Sequence, residues 1–193
     1  MKKLIGLKKT KTSIFISGTG SNLKNLIKFS KKKNSPISIN LIISNKKEAI
    51  GLKYASQYNI EKKVIIFKSK NFAEKKILKL LQKKNINLIC LAGFMKVLSK
   101  NFIKKFDGKI INIHPSLLPK YKGLNTHKRV IINKEKFSGC TVHEVTSKLD
   151  SGKIIIQKKV KILKNETPGS LAKKVLKVEH KIYPYAIKKI FNP

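Results

Sequence analysis

Short apolar runs alternate along the chain with longer, lysine-rich stretches in which apolar residues return every three or four positions. The first pattern predicts buried strands and the second amphipathic helices. Strands are expected at residues 13–17, 37–43, 63–67, 86–91 and 109–113, followed by 139–145 and 153–161. Helices are expected between the first five, at residues 22–30, 46–58, 71–84 and 99–106. A last helix should begin at Thr167-Pro168, threonine as cap and proline in the first turn, and run toward Ile190. Tyr183-Pro184 is expected to kink or break it, because proline removes a helical N–H and crowds the preceding turn. Strict alternation of strand and helix predicts an α/β fold: an open, mostly parallel, twisted sheet with helices on both faces and right-handed crossovers. The C-terminal strands are expected to extend this sheet and to include an antiparallel one. With no repeat and no linker-like composition, the 193 residues are expected to form one domain, 1–193.

Charge is the feature that first complicates this picture. The chain has 45 basic residues against 9 acidic ones, a net charge of +36, which suggests a nucleic-acid partner. Yet Arg129 is the single arginine, and arginine is the side chain that reads phosphates and bases bidentately. The lysines are spread over the whole chain, so a solvated lysine surface without specific nucleic-acid recognition is the expectation. No apolar run approaches the roughly 18–20 residues of a membrane span. The apolar segment near the start is too short for a signal peptide, so a cytoplasmic, membrane-free protein is expected. Cys90 and Cys140 lack CxxC spacing, and His114, His127, His143 and His180 form no HxH or HxxxH pair. No disulfide framework and no metal are expected.

Four segments carry chemistry. In "SIFISGTGSNLKNLI" a strand runs through Gly18-Thr19-Gly20-Ser21 into a helix opened by Asn22, where free N–H groups favour an anion. A dinucleotide site fails here, because the third glycine of GxGxxG falls on Leu23 and the next strand ends in Ser44-Asn45 without a carboxylate. A single phosphate ester remains, beside the plainer reading of a tight turn. In "LICLAGFMKVLS" a buried strand is followed by Phe94, Met95, Val97 and Leu98, either an apolar plug or a slot for a flat heterocycle at the sheet's carboxyl edge. In "KIINIHPSLLPKYKG" a strand carries Asn112 and stops at His114, which Pro115 pins. Two residues apart on a strand, the two side chains share a face. In "SGCTVHEVTSKLDSGKIIIQ" Asp150 sits in a Leu-Asp-Ser-Gly turn, a position usually occupied by a mere turn former. His127 and His143 read as packing, capping or pocket-shaping residues, and His180 as a residue of the last helix.

Taken in order, "ISGTGSNL", "SNKKEAIGL", "LAGFMKVLS", "NIHPSLLPKYKGLNTH", "LDSGKIIIQ" and "VEHKIYP" resemble the folate-dependent phosphoribosylglycinamide formyltransferase family, over about residues 12–187. The resemblance implies a Rossmann-like formyltransferase fold and transfer of a formyl group from 10-formyltetrahydrofolate, as co-substrate, to glycinamide ribonucleotide in purine synthesis. It implies catalytic roles for three residues: Asn112 as oxyanion donor, His114 as polarising and proton-handling group, and Asp150 as the carboxylate that orients the histidine. It places the substrate phosphate on Gly20, Ser21 and Asn22, and the ribose hydroxyls on Glu179. The folate would lie against Met95, Lys96, Val97 and Leu98, closed over by the loop of Val145, Thr146 and Leu149. Partners would be these small molecules alone, for a monomer or weak dimer. Three positions depart from the family pattern: Lys96 where arginine is usual, Asn125 where histidine is usual, and Leu176 in place of a polar residue. The alternatives are a 10-formyltetrahydrofolate hydrolase with the same trio, a methionyl-tRNA formyltransferase, and a basic RNA-binding protein retaining the fold. The two enzymes usually carry a further domain for which this chain has no evident room.

Overall fold

The short apolar runs translate into one seven-stranded sheet in the computed structural model, which describes residues 9–191. Its elements are β1 (Thr10–Ile16), α1 (Ser21–Ser30), β2 (Ile37–Ser44), α2 (Leu52–Gln57), β3 (Lys62–Val64), α3 (Lys70–Lys83), β4 (Leu88–Leu91), α4 (Lys100–Lys105), β5 (Lys109–His114), α5 (Thr126–Ile132), β6 (Phe137–Glu144), β7 (Ile154–Lys161) and α6 (Pro168–Phe191). The strand order is β3-β2-β1-β4-β5-β6-β7. The first five strands are parallel, while β5–β6 and β6–β7 pair antiparallel. Strand order reverses between β1 and β4, and the carboxyl edge beside such a reversal is the usual ligand position in open sheets.

Burial on both faces explains why the parallel strands read as near-continuous apolar runs. Ile14, Ile16, Cys90, Ile111 and Ile113 join one core beneath α1, α2, α5 and α6. Phe15, Ile89, Leu91 and Ile110 join a second core beneath α3 and α4. Among the described residues no helix is long and apolar enough to cross a membrane.

Several expected boundaries move. The third strand ends at Val64 rather than residue 67, because it is an edge strand paired only with β2. The second helix begins at Leu52 rather than residue 46, after a turn that carries Ala49 into the core. Helix α5 is additional to the expected set; Asn125, left-handed at φ 56°, leads into it. The last helix is not broken at Pro184 and runs on to Phe191. Proline leaves the carbonyl of His180, four residues earlier, without its helical N–H. Asn25 of α1 supplies the missing donor, its Nδ2 reaching the His180 carbonyl at 2.7 Å. Asn25→Ala is therefore expected to cost about 1–2 kcal/mol, lowering the thermal midpoint by roughly 2–6 °C. A melting curve indistinguishable from the parent protein would remove Asn25 from this role.

One glycine has a packing role besides the one its motif suggests. Gly20 is left-handed at φ 74°, and a Cβ there would lie 2.5 Å from the Cα of Gly51. The start of α2 is thus seated directly on the turn that opens α1, and the Gly51 N–H donates to the Gly18 carbonyl at 2.9 Å. Gly20 is needed for this close backbone packing whatever approaches the loop from outside.

Candidate active site

Strand β5 delivers two polar side chains because its alternation continues past the apolar rows. Ile111 and Ile113 go to one core, so Asn112 and His114 emerge together on the other face, at the carboxyl end. Antiparallel pairing sets His143 of β6 opposite Asn112, and Thr141 opposite His114. Thr141 then pins the chain that follows His114: its hydroxyl donates to the Ser116 carbonyl at 2.7 Å and accepts from the Leu118 N–H at 3.2 Å. That course brings the Tyr121 carbonyl to 2.9 Å from His114 Nε2, which therefore carries the proton.

Asp150 arrives from the loop between β6 and β7. It is left-handed at φ 44°. The turn folds back so tightly that a Cβ on Gly152 would meet the Glu144 carbonyl oxygen at 1.8 Å. The Gly123 N–H donates to Asp150 Oδ2 at 2.9 Å. The same oxygen lies 3.4 Å from His114 Nδ1, and Oδ1 lies 3.6 Å from His143 Nε2. The carboxylate thus faces both imidazoles. Asn112 Nδ2 donates to His143 Nε2 at 3.2 Å, while His143 Nδ1 donates to the Glu144 carbonyl at 2.8 Å.

Electrostatics separates the charges within this cluster. Burial holds the pKa of His114 below its ordinary value, although the Tyr121 carbonyl and the Asp150 carboxylate pull it back upward. Burial would raise Asp150, but His143, the Gly123 N–H and the charge attraction of His114 prevail and hold it below the usual carboxylate range. At neutral pH the site therefore holds a neutral imidazole beside an ionised carboxylate.

A cavity of about 790 Å³ joins this cluster to two further groups of side chains. One is Asn22 with Glu179: Asn22 Nδ2 donates to Glu179 Oε2 at 2.7 Å, and Asn22 Oδ1 is buried without a partner. Burial raises the pKa of Glu179, opposed by that amide. The other group comprises Met95, Lys96, Val97 and Leu98, facing Val145, Thr146 and Leu149. Among the described residues, the backbone groups of Lys96, Val97 and Leu98 take no intramolecular partner.

Most of the expected site residues thus share one cavity. Gly20 and Ser21 do not line it: Gly20 packs on Gly51, and the Ser21 hydroxyl is 2.6 Å from His180 Nε2. Of the three departures, Lys96 and Asn125 line the cavity, while Leu176 is half-buried on α6 away from it. Sequence reasoning missed the place of His143 and of the Gly123 N–H. The run "CTVHEV" marks His143 as a strand residue, but only the strand pairing sets it against Asn112. Among the described residues no cluster of three or more histidine, cysteine, aspartate or glutamate side chains could hold a metal.

The polar trio lies at the carboxyl edge of an open, mostly parallel sheet, where such folds place their ligands. Residues 10–187 match the family model for formyl transferase, and the chain belongs to that family. It is 41% identical over 183 residues to the phosphoribosylglycinamide formyltransferase of Haemophilus influenzae, covering 92% of this chain and 85% of that protein. The crystal structure of phosphoribosylglycinamide formyltransferase from Brucella melitensis superposes with a TM-score of 0.91 at 42% identity, covering 96% of this chain and 97% of that one. The trifunctional purine biosynthetic protein adenosine-3 of Homo sapiens is 40% identical over 183 residues, covering 93% of this chain. The chain spans only 18% of the length of that larger relative.

Proposed function

We propose that the protein transfers the formyl group of 10-formyltetrahydrofolate to the primary amine of glycinamide ribonucleotide. The observation that carries this reading is the single cavity in which Asn112, His114 and Asp150 lie with the Asn22–Glu179 pair and with the Met95–Leu98 slot. The slot offers apolar walls and free backbone groups, which suit a flat heterocycle bearing several donors and acceptors. The Asn22–Glu179 pair offers a buried amide oxygen and a carboxylate, suited to the hydroxyls of a ribose. Gly20, Ser21 and Asn22 open α1, where backbone N–H groups and the helix dipole favour the phosphate.

In this reading the amine nitrogen bonds to the formyl carbon, the bond from that carbon to folate N10 breaks, and one proton passes from the amine to N10. Asn112 turns an amide N–H toward the formyl oxygen as it gains negative charge. His114 Nε2 is committed to Tyr121, which leaves Nδ1 as the atom that accepts the proton. Asp150, facing Nδ1, orients the ring and an ordered water and stabilises the imidazolium that forms. A hydrolase would use the same trio with water as acceptor, but the Asn22–Glu179 pair would then serve no second substrate.

Because burial lowers the His114 pKa, its neutral, proton-accepting form persists below the ordinary histidine value of about 6.5. The acid limb of kcat/KM is accordingly expected to fall with a midpoint below that value; a midpoint above it would contradict the assignment of His114 as base. The function itself is tested by steady-state assay of the purified protein with both ligands and with each omitted. Tetrahydrofolate should form only when glycinamide ribonucleotide is present. Formation at the same rate without it would establish the hydrolase instead.

A further inference from the structure

The wall of the folate slot is an irregular segment, and its position requires a cause. Gly93 to Leu98 belong to no helix or strand, and the side chains of Met95 and Val97 are more than half exposed, at 57% and 53%. Packing on the core therefore does little to hold these two residues. Phe94 is an apolar anchor, edge-on to Phe15 at 5.3 Å and to Phe67 at 5.8 Å. The polar anchors lie at the two ends. At the far end Glu74 accepts from the Ser99 N–H at 2.8 Å, but neither Glu74 nor Ser99 lines the cavity. At the near end stands Ser17, the residue that follows β1 and precedes the glycine turn.

Ser17 is 5% exposed and makes three hydrogen bonds, two of them to this segment and the third to Asn45. Its backbone N–H donates to the Gly93 carbonyl at 3.1 Å. Its hydroxyl accepts from the Met95 N–H at 2.7 Å and donates to Asn45 Oδ1 at 2.5 Å. Asn45 is 6% exposed and follows β2, so its amide oxygen fixes the hydroxyl rotor and aims the lone pair at Met95. Three neighbouring strand ends, those of β1, β2 and β4, are thereby tied through one buried oxygen. The glycine turn does not depend on that oxygen, since Gly18 and Gly20 are held by Gly51.

Resting on the functional reading above, we infer that Ser17, oriented by Asn45, is a positioning residue for the folate slot: its hydroxyl sets the backbone of Met95, and so the wall against which the pterin lies. Ser17 touches neither substrate. Removing the hydroxyl leaves the Met95 N–H without a partner and frees the segment to move, while the ribonucleotide end keeps its own supports.

Equilibrium binding of tetrahydrofolate and of glycinamide ribonucleotide to the full chain, by titration calorimetry, tests this. Ser17→Ala is expected to weaken tetrahydrofolate about tenfold, with ribonucleotide affinity within about twofold of the parent. The KM for 10-formyltetrahydrofolate should rise in parallel while kcat changes little. Ser17→Thr, which keeps the hydroxyl, should recover most of the lost affinity. Asn45→Ala, which keeps the hydroxyl but frees its rotor, should weaken tetrahydrofolate by a smaller factor, about threefold, and decides the matter if Ser17→Ala does not fold. Unchanged tetrahydrofolate binding in both alanine variants would overturn the inference, as would equal weakening of both ligands without rescue by threonine. A parent protein that binds no tetrahydrofolate would instead overturn the functional reading on which the inference rests.

Discussion

Asp150→Asn is expected to lower kcat about a thousandfold, with the KM for each substrate within about threefold of the parent. The substitution keeps the shape of the side chain and leaves an oxygen to accept the Gly123 N–H, so the loop between β6 and β7 should stay in place. What it removes is the negative charge 3.4 Å from His114 Nδ1. Without that charge, only the Tyr121 carbonyl opposes the effect of burial on the ring, and an imidazolium formed during transfer has no counter-ion. With its oxygen on the Gly123 N–H, the amide sets its NH2 toward His143 Nε2 and offers His114 Nδ1 only a neutral carbonyl oxygen. The loss should therefore appear in the chemical step. Single-turnover rates with both ligands saturating measure it directly. A variant retaining more than a tenth of the parent rate would show that Asp150 is only the turn former its local sequence suggests.

Asn112→Ala is the second large effect, expected at about a hundred- to a thousandfold in kcat, the usual cost of removing one oxyanion donor, about 3–4 kcal/mol. Asn112 already points one N–H at His143 Nε2, at a long 3.2 Å. That contact holds the amide at the carboxyl edge and leaves the second N–H free, in the proposed reading for the formyl oxygen. Because a donor to developing charge acts more strongly in the transition state than on the bound substrate, tetrahydrofolate affinity should hardly change. A raised KM with undiminished kcat would recast Asn112 as a binding residue.

The spacing of Asn112 and His114 was legible, because period-two geometry alone puts them on one face of β5. Glu179 was legible only through motif resemblance, whereas the Met95–Leu98 segment reads locally as either an apolar plug or a slot for a flat heterocycle. Asp150 shows the limit of local reasoning: Leu-Asp-Ser-Gly is a turn by composition, and its approach to His114 depends on the fold-back at Gly152 and on a donor at Gly123. His143 reads as a packing, capping or pocket-shaping residue and no more, because nothing in a strand sequence states which residue of another strand it will face. The same limit applies to α6. Pro184 argues correctly for a lost hydrogen bond, but the replacement donor, Asn25, lies 155 residues away from the carbonyl it satisfies. Gly20 also carries a packing requirement, imposed by Gly51, that a phosphate-loop pattern does not state.

The central claim is that one cavity brings a folate formyl group and a ribonucleotide amine to the same three side chains. The most direct test follows the formyl carbon itself. With 10-formyltetrahydrofolate labelled at that carbon and glycinamide ribonucleotide in excess, a single turnover should deliver nearly all of the label to the ribonucleotide as its formamide. Delivery of the label to free formate, at a rate indifferent to the ribonucleotide, would contradict the account.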